Sequence, residues 1–233
     1  MTAARKLLMN PPAAGGFTPA DLTSLVAWYD MSDASTITSS SGAVSQVDDK
    51  SGQGNHVTQA SSAHKPTTGT VTLNGLNVLA FDGSDWLSRA AIPLSTSSFF
   101  IYAVARTELN SSRRVYMSPG NNSFVAPTHK GNSAGFGFLI GGIKWVEMSG
   151  VPLDTWYRQR LSRSSGTITN YKNGTAVQTS TNTPLALSGS FWLGGDNASK
   201  QTCDLAEVVV CNADQSAGDA ADLESFMSTK WGI

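Results

Sequence analysis

The sequence predicts an all-β protein, an antiparallel β-sandwich closed by one short C-terminal α-helix. Three observations carry this. Apolar runs of strand length recur along the chain and are parted by Gly, Asn and Ser turns, as expected for stacked antiparallel sheets. "TITNYKNGTAVQT" places Asn173-Gly174 between two such runs, the signature of a type I′ hairpin. Apolar spacing of helical period is found in one convincing place only, near the end.

Taken in order, residues 1–20 read as an extended N-terminal arm, small, rich in Pro and Gly and without period. Thr18 can cap a single helical turn, and Pro19 suits its first position. "LVAWYD" (Leu25 to Asp30) is the first strand. "SGAVSQVDDKSGQGNHVTQ" gives a short strand, a polar loop and another short strand. Further strands are expected in "NVLAFDG", "SSFFIYAVAR", "RRVYMS", "GFGFLIGGIKWVEM", "TWYRQRLSRSSGTITNYKNGTAVQT", "SFWLGG" and "CDLAEVVVCN". In "SAGDAADLESFMSTKWG", Ser216 caps a helix with Asp219 three residues on. Leu223, Phe226, Met227 and either Lys230 or Trp231 follow helical spacing, and Gly232 ends the helix. No linker divides residues 21–233, which read as one domain.

The 233 residues carry a formal net charge of −1, and only 14% are charged. Without a basic excess or basic-aromatic interleaving, the composition does not point to nucleic acid. No run of 18 apolar residues is present, so no transmembrane helix is expected. After Arg5 and Lys6 the apolar stretch stops at Met9, too short for a secretory h-region, so no signal peptide is expected. The two cysteines, Cys203 and Cys211, are eight residues apart. In a strand they would lie roughly 26 Å from each other, whereas a disulfide needs Cα atoms within about 7 Å. Two buried free thiols and a reducing compartment follow.

Several constellations suggest catalysis, and each has a plainer reading. "GNSAG" (Gly131 to Gly135) matches G-x-S-x-G, but Ser133 lacks the strand-turn-helix setting a nucleophile elbow needs. Sandwich glycosidases place two acids on one face of a strand. Asp204 and Glu207 are three apart and should face opposite ways in a regular strand. No acid-x-acid pair lies in any predicted strand, so no catalytic residue is assigned. His56, His64 and His129 are scattered over loop-like segments and give no zinc spacing. Asp48 and Asp49, and Asp82 and Asp85, are weak calcium candidates, but Asx-Gly clusters usually form turns on their own backbone. Trp28, Trp145, Trp156, Trp192 and Trp231 read as core residues. Trp86, after "FDGSD", is open between core and surface.

"LVAWYDMSD", "VDDKSGQGN", "FDGSDW" and the closing "DLAEVVVCN … KWG" together resemble the laminin-G-like, concanavalin A-like jelly-roll domain over about Leu25 to Ile233. The resemblance implies two packed antiparallel sheets with a short helix against them, a central strand in "DLAEVVV", and a structural role for Glu207. Domains of this type bind glycans or proteins, and some relatives are glucanases, whose acid triad has no counterpart here. This subtype also resembles domains of phage virion surface proteins.

The expectation is therefore a non-enzymatic virion surface protein: a capsid decoration, fibre or tail accessory, made in the host cytoplasm and present in repeated copies or as a homo-oligomer. Arg5, Lys6, Leu7, Leu8 and Met9 would dock the arm on other virion subunits. Trp86, Asn121, Asn122, His129, Lys130 and Asn132 are the candidate glycan-binding residues. A stand-alone carbohydrate-binding module is the alternative, and a glycoside hydrolase is disfavoured. No cofactor is expected beyond the weak calcium candidates.

Overall fold

A computed structural model describes residues 16–95, 97–107, 117–120, 123–130, 133–139, 148–149, 154–181, 189–195, 200 and 202–233. Its strands are β1 (Leu25–Asp30), β2 (Ile37–Ser40), β3 (Ala43–Val47), β4 (Val57–Thr58), β5 (Thr67–Leu73), β6 (Leu76–Asp82), β7 (Leu87–Arg89), β8 (Phe99–Thr107), β9 (Met117–Gly120), β10 (Ser123–Lys130), β11 (Ser133–Leu139) and β12 (Met148–Ser149). They continue as β13 (Tyr157–Ser164), β14 (Thr167–Lys172), β15 (Thr175–Thr181), β16 (Phe191–Leu193) and β17 (Thr202–Cys211), and the chain closes with helix α1 (Ala217–Trp231). The pairings are antiparallel throughout, and the molecule is an all-β sandwich with one C-terminal helix, as the sequence predicts.

One sheet runs β15-β14-β13-β8-β17. Beyond β17 it divides, with β1 pairing along residues 207–211 and β6 along residues 202–205. β5 follows β6. The other sheet runs β2-β3-β4-β7-β16-β9-β10-β11-β12. A bridge from Ala43 to Thr67 joins the two.

β8 and β17 are near-continuous apolar runs because both of their faces are covered. Phe99, Ile101, Ala103 and Ala105 of β8 and Cys203, Leu205, Val208 and Val210 of β17 point into the core between the sheets. Phe100, Tyr102 and Val104, with Ala206, Val209 and Cys211, point to the opposite face. There α1 covers them with Ala220, Leu223, Met227 and Trp231, which recur at helical spacing. The helix ends are as predicted. Ser216 Oγ accepts from Asp219 N–H at 3.1 Å, and Gly232 adopts the left-handed conformation at φ 71°.

The predicted Asn173-Gly174 turn has positive φ at both residues, 48° and 80°, as type I′ requires. The same pair of angles recurs at Ser41-Gly42, Asn74-Gly75 and Ser165-Gly166. The arm is described only from Gly16 onward. Phe17 packs against the cluster under α1, and Pro19 is buried at the start of a single 3₁₀ turn. Arg5, Lys6, Leu7, Leu8 and Met9 lie outside the described residues.

One expectation about β17 is corrected. The strand carries a bulge between Leu205 and Glu207: Asp204 is opposite Arg106 and Glu207 opposite Val104. The extra residue restores the parity that three-residue spacing would break, so Asp204 and Glu207 share the outer face. The two carboxylates differ instead in their partners.

Candidate functional site: an aromatic shelf and the cleft beside it

The family-like motifs resolve into a buried network. Glu207 has no solvent exposure, and its carboxylate accepts from Trp28 Nε1 at 2.7 Å, Trp231 Nε1 at 2.7 Å and Lys230 Nζ at 2.8 Å. Lys230 also reaches Asp30 at 2.7 Å, Asp30 meets Lys50 at 3.0 Å, and Lys50 meets Asp33 at 2.7 Å. Burial raises the Glu207 carboxyl above the usual range against the pull of Lys230. Burial pushes Asp30 the same way, but Lys230, Ser32 and Lys50 outweigh it and its carboxyl is lowered. The network ties β1, β17 and α1 together and leaves no open face on Glu207, so it is structural.

The calcium candidates are turn-formers. Asp49 accepts from the backbone of Trp28, Ser51 and Asn55 at 2.9 Å each and from Ser51 Oγ at 2.7 Å. Asp48 lies 3.1 Å from His56 Nδ1. Asp82 Oδ1 accepts from Ser84 N–H and Oγ, and Asp85 Oδ2 accepts from Asp82 N–H at 3.1 Å. Among the described residues no group of three or more His, Cys, Asp or Glu side chains is assembled to hold a metal ion. Ser133 opens strand β11 and pairs with Lys130 in a hairpin, not the turn into a helix that a nucleophile elbow requires.

A different surface brings chemistry together. On β16, Phe191 and Leu193 enter the core, so Trp192 between them faces outward. Its cross-strand neighbours are Ser88 on β7 and Ser118 on β9, and Ser88 in turn faces Thr58 on β4. These short side chains leave the indole standing above the sheet. Trp86, also half-buried, has its ring 6.1 Å from that of Trp192. The His64 ring lies 4.1 Å from Trp86, and Lys200 Nζ lies 4.6 Å from the Trp86 ring centre and 5.7 Å from that of Trp192. Trp192 therefore corrects the expectation that it is a core residue; Trp156 is half-buried and packs against the cluster beneath α1, and Trp28 and Trp231 are core. His64 likewise lies against the Trp86 ring, tilted by 32°, and is not a free loop side chain.

The rings are held by a ridge made of two segments. Trp86 N–H donates to the His64 carbonyl at 3.1 Å, and His64 Nδ1 lies 2.9 Å from the Ser84 carbonyl. Gln59 Nε2 donates to the Trp86 carbonyl at 3.1 Å. Gly194, just past Trp192, has φ +81°, and a Cβ there would lie 2.2 Å from Phe81 Cδ1 and 3.0 Å from the Asp85 carbonyl oxygen. Only glycine allows β16 to end this close to the ridge.

On the other side of the ridge lies a cleft of about 420 Å³. Lys65, Thr67, Asp82, Asp85, Arg106 and Asp204 line it. Arg106 is fixed on Asp204 Oδ2 through Nε at 2.7 Å and Nη2 at 2.5 Å. Burial raises Asp204 despite that cation. Burial also raises Asp85, 5% exposed, to about 6, with the Asp82 charge adding to the shift.

Of the predicted glycan-binding residues, Trp86 belongs to this site. His129 and Lys130 end strand β10 and are not in a loop; Asn121, Asn122 and Asn132 lie outside the described residues. Trp192, His64 and Lys200 were missed. The available signal was the "F-W-L" alternation of β16, which places its Trp on the face opposite two core residues.

No protein-family model matches the chain, and no curated protein does. Solved structures do. A Trypanosoma rangeli sialidase in complex with the inhibitor DANA is 15% identical with a TM-score of 0.63, covering 86% of this chain and 32% of the sialidase. Domain 4 of AbnA, an extracellular GH43 arabinanase from Geobacillus stearothermophilus in complex with arabinotriose, is 15% identical with a TM-score of 0.52, covering 88% of this chain and all of that domain. The binding domain of Paraclostridial Mosquitocidal Protein 1 is 11% identical with a TM-score of 0.62, covering 91% and 53%. The chain thus spans about a third of the sialidase it matches. At these identities the likeness is one of fold alone: an all-β sandwich shared with parts of a sialidase, an arabinanase and a mosquitocidal protein.

Proposed function

We propose that this protein is a non-enzymatic carbohydrate-binding β-sandwich that takes sugar rings on the shelf of Trp86, Trp192 and His64. The observation that carries this is the pair of half-exposed indoles 6.1 Å apart on the outer face of one sheet. Aromatic faces offer a large apolar contact at little conformational cost, and they suit the C–H face of a sugar. The arabinotriose complex of a domain with this fold adds support. A glycan array and titrations of intrinsic tryptophan fluorescence test the reading. Trp192→Ala should weaken binding of array-positive sugars at least tenfold while costing less than ~1 kcal/mol of stability, as surface changes do. Undiminished binding by the variant would remove the shelf from the site.

On where the module works, we propose the surface of a phage virion, in repeated copies, reached by assembly in the host cytoplasm. The support is the resemblance carried by "WYD", "DKSGQGN" and "KWG". Since Phe17 and Pro19 pack onto the domain, the docking test is deletion of residues 1–15 only. Particles from the deletion strain should lack the protein by mass spectrometry although the purified domain folds. Normal occupancy would overturn docking through Arg5 to Met9.

A further inference from the structure

We propose that the cleft beside the shelf is a second sugar subsite, so that the chain grips a neutral oligosaccharide across both; this rests on the sugar-binding reading above. The ridge between them is one residue thick at two points. His64 lies on the shelf while the next residue, Lys65, lines the cleft. Trp86 is on the shelf while the preceding residue, Asp85, lines the cleft. Two hydrogen bonds lock these segments together, so neither surface can move without the other.

The cleft's chemistry selects the ligand class. At about 420 Å³ it falls in the range of small-molecule pockets, roughly 300–1,000 Å³. Asp82 and Asp204 offer carboxylate acceptors, and Lys65 and Arg106 offer donors, with Ala80 and Val71 supplying apolar wall. Vicinal hydroxyls, each both donor and acceptor, can satisfy such a set. A ligand of strong single charge would meet repulsion from one half of it. Because the Arg106–Asp204 pair is bonded twice, its geometry is fixed before a ligand arrives.

The test compares sugars by length. Tryptophan fluorescence is titrated with arabinose, arabinobiose and arabinotriose, and with the cello- and xylo-series of one to three residues. In at least one series affinity should climb tenfold or more from one residue to three. Thr67→Trp, at an exposed position on the cleft wall, should erase that climb and leave the monosaccharide's affinity intact. Lys65→Ala, which removes a cleft donor without adding bulk, should reduce the climb several-fold and serves if the bulky variant misfolds. Affinity independent of length, or a climb that survives both variants, would overturn the subsite while the shelf stands. No fluorescence response to any sugar, or one unchanged by Trp192→Ala, would overturn the shelf reading and the subsite with it.

Discussion

At the residue scale, Glu207 shows how a family-like motif can be structural. Two indole N–H groups and one ammonium converge on its carboxylate in a site without solvent. Removing one partner of such a group strands the others, at a cost of about 3–5 kcal/mol. Glu207→Ala should therefore lower the unfolding free energy read from a urea melt by that amount, and a loss under ~1 kcal/mol would mean the network contributes little. Burial raises the Asp85 carboxyl as well. Its folded carboxyl titrates near 6, above the unfolded value, so the fold binds its proton more tightly. Stability from this group is present below pH ~4 and is lost as pH rises through about 6. Asp85→Asn should gain on the parent by roughly 1–2 kcal/mol across that window and stay level above it, as read from melts at pH 4 to 7.5. Sequence alone could mark these carboxylates but not rank them. The Ala206 bulge that turns Glu207 onto the same face as Asp204 leaves no trace in spacing, since it comes from pairing with β8.

At the scale of elements, more was legible. β1, β8, β13 to β15, β17 and α1 fall where apolar runs and turn residues place them, because each combines a clear period with a punctuated end. β2, β5, β7 and β10 were not found. β2, β5 and β7 are short or polar, with β5 offering Thr-Thr-Gly-Thr, and exist through their neighbours and not through their own composition, while β10 carries Pro127 and ends in His129 and Lys130. The strand geometry of β17 also settles its cysteines, which are both buried thiols and are not bridged to each other. Burial lifts the Cys211 thiol to about 12, so thiolate is scarce at neutral pH. Folded protein should leave an aromatic disulfide reagent unreacted at pH 8, and urea should release both thiols; fast labelling of the native state would contradict the packing. Gly194 links element to site. Gly194→Ala should displace the ridge, reducing sugar binding together with stability, in contrast to Trp192→Ala, which spares the fold.

At the scale of the whole molecule, two apolar layers share the central pair β8 and β17, one between the sheets and one beneath α1. Leu223 is fully buried in the second, and Leu223→Ala should cost about 2–5 kcal/mol in a denaturant melt. The position of β17 also sets a timetable. Trp28 and Glu207 are 179 residues apart, yet among the described residues the first strand finds its ladder along residues 207–211. β6 and β8 wait for the same strand. As a ribosome delivers these residues in order, the 201 that precede Thr202 emerge before the strand that organises this sheet. Until then the edges of β1, β6 and β8 that pair with β17 are open, which makes completion of this sheet a late event of high contact order and the nascent chain a natural client for holding chaperones.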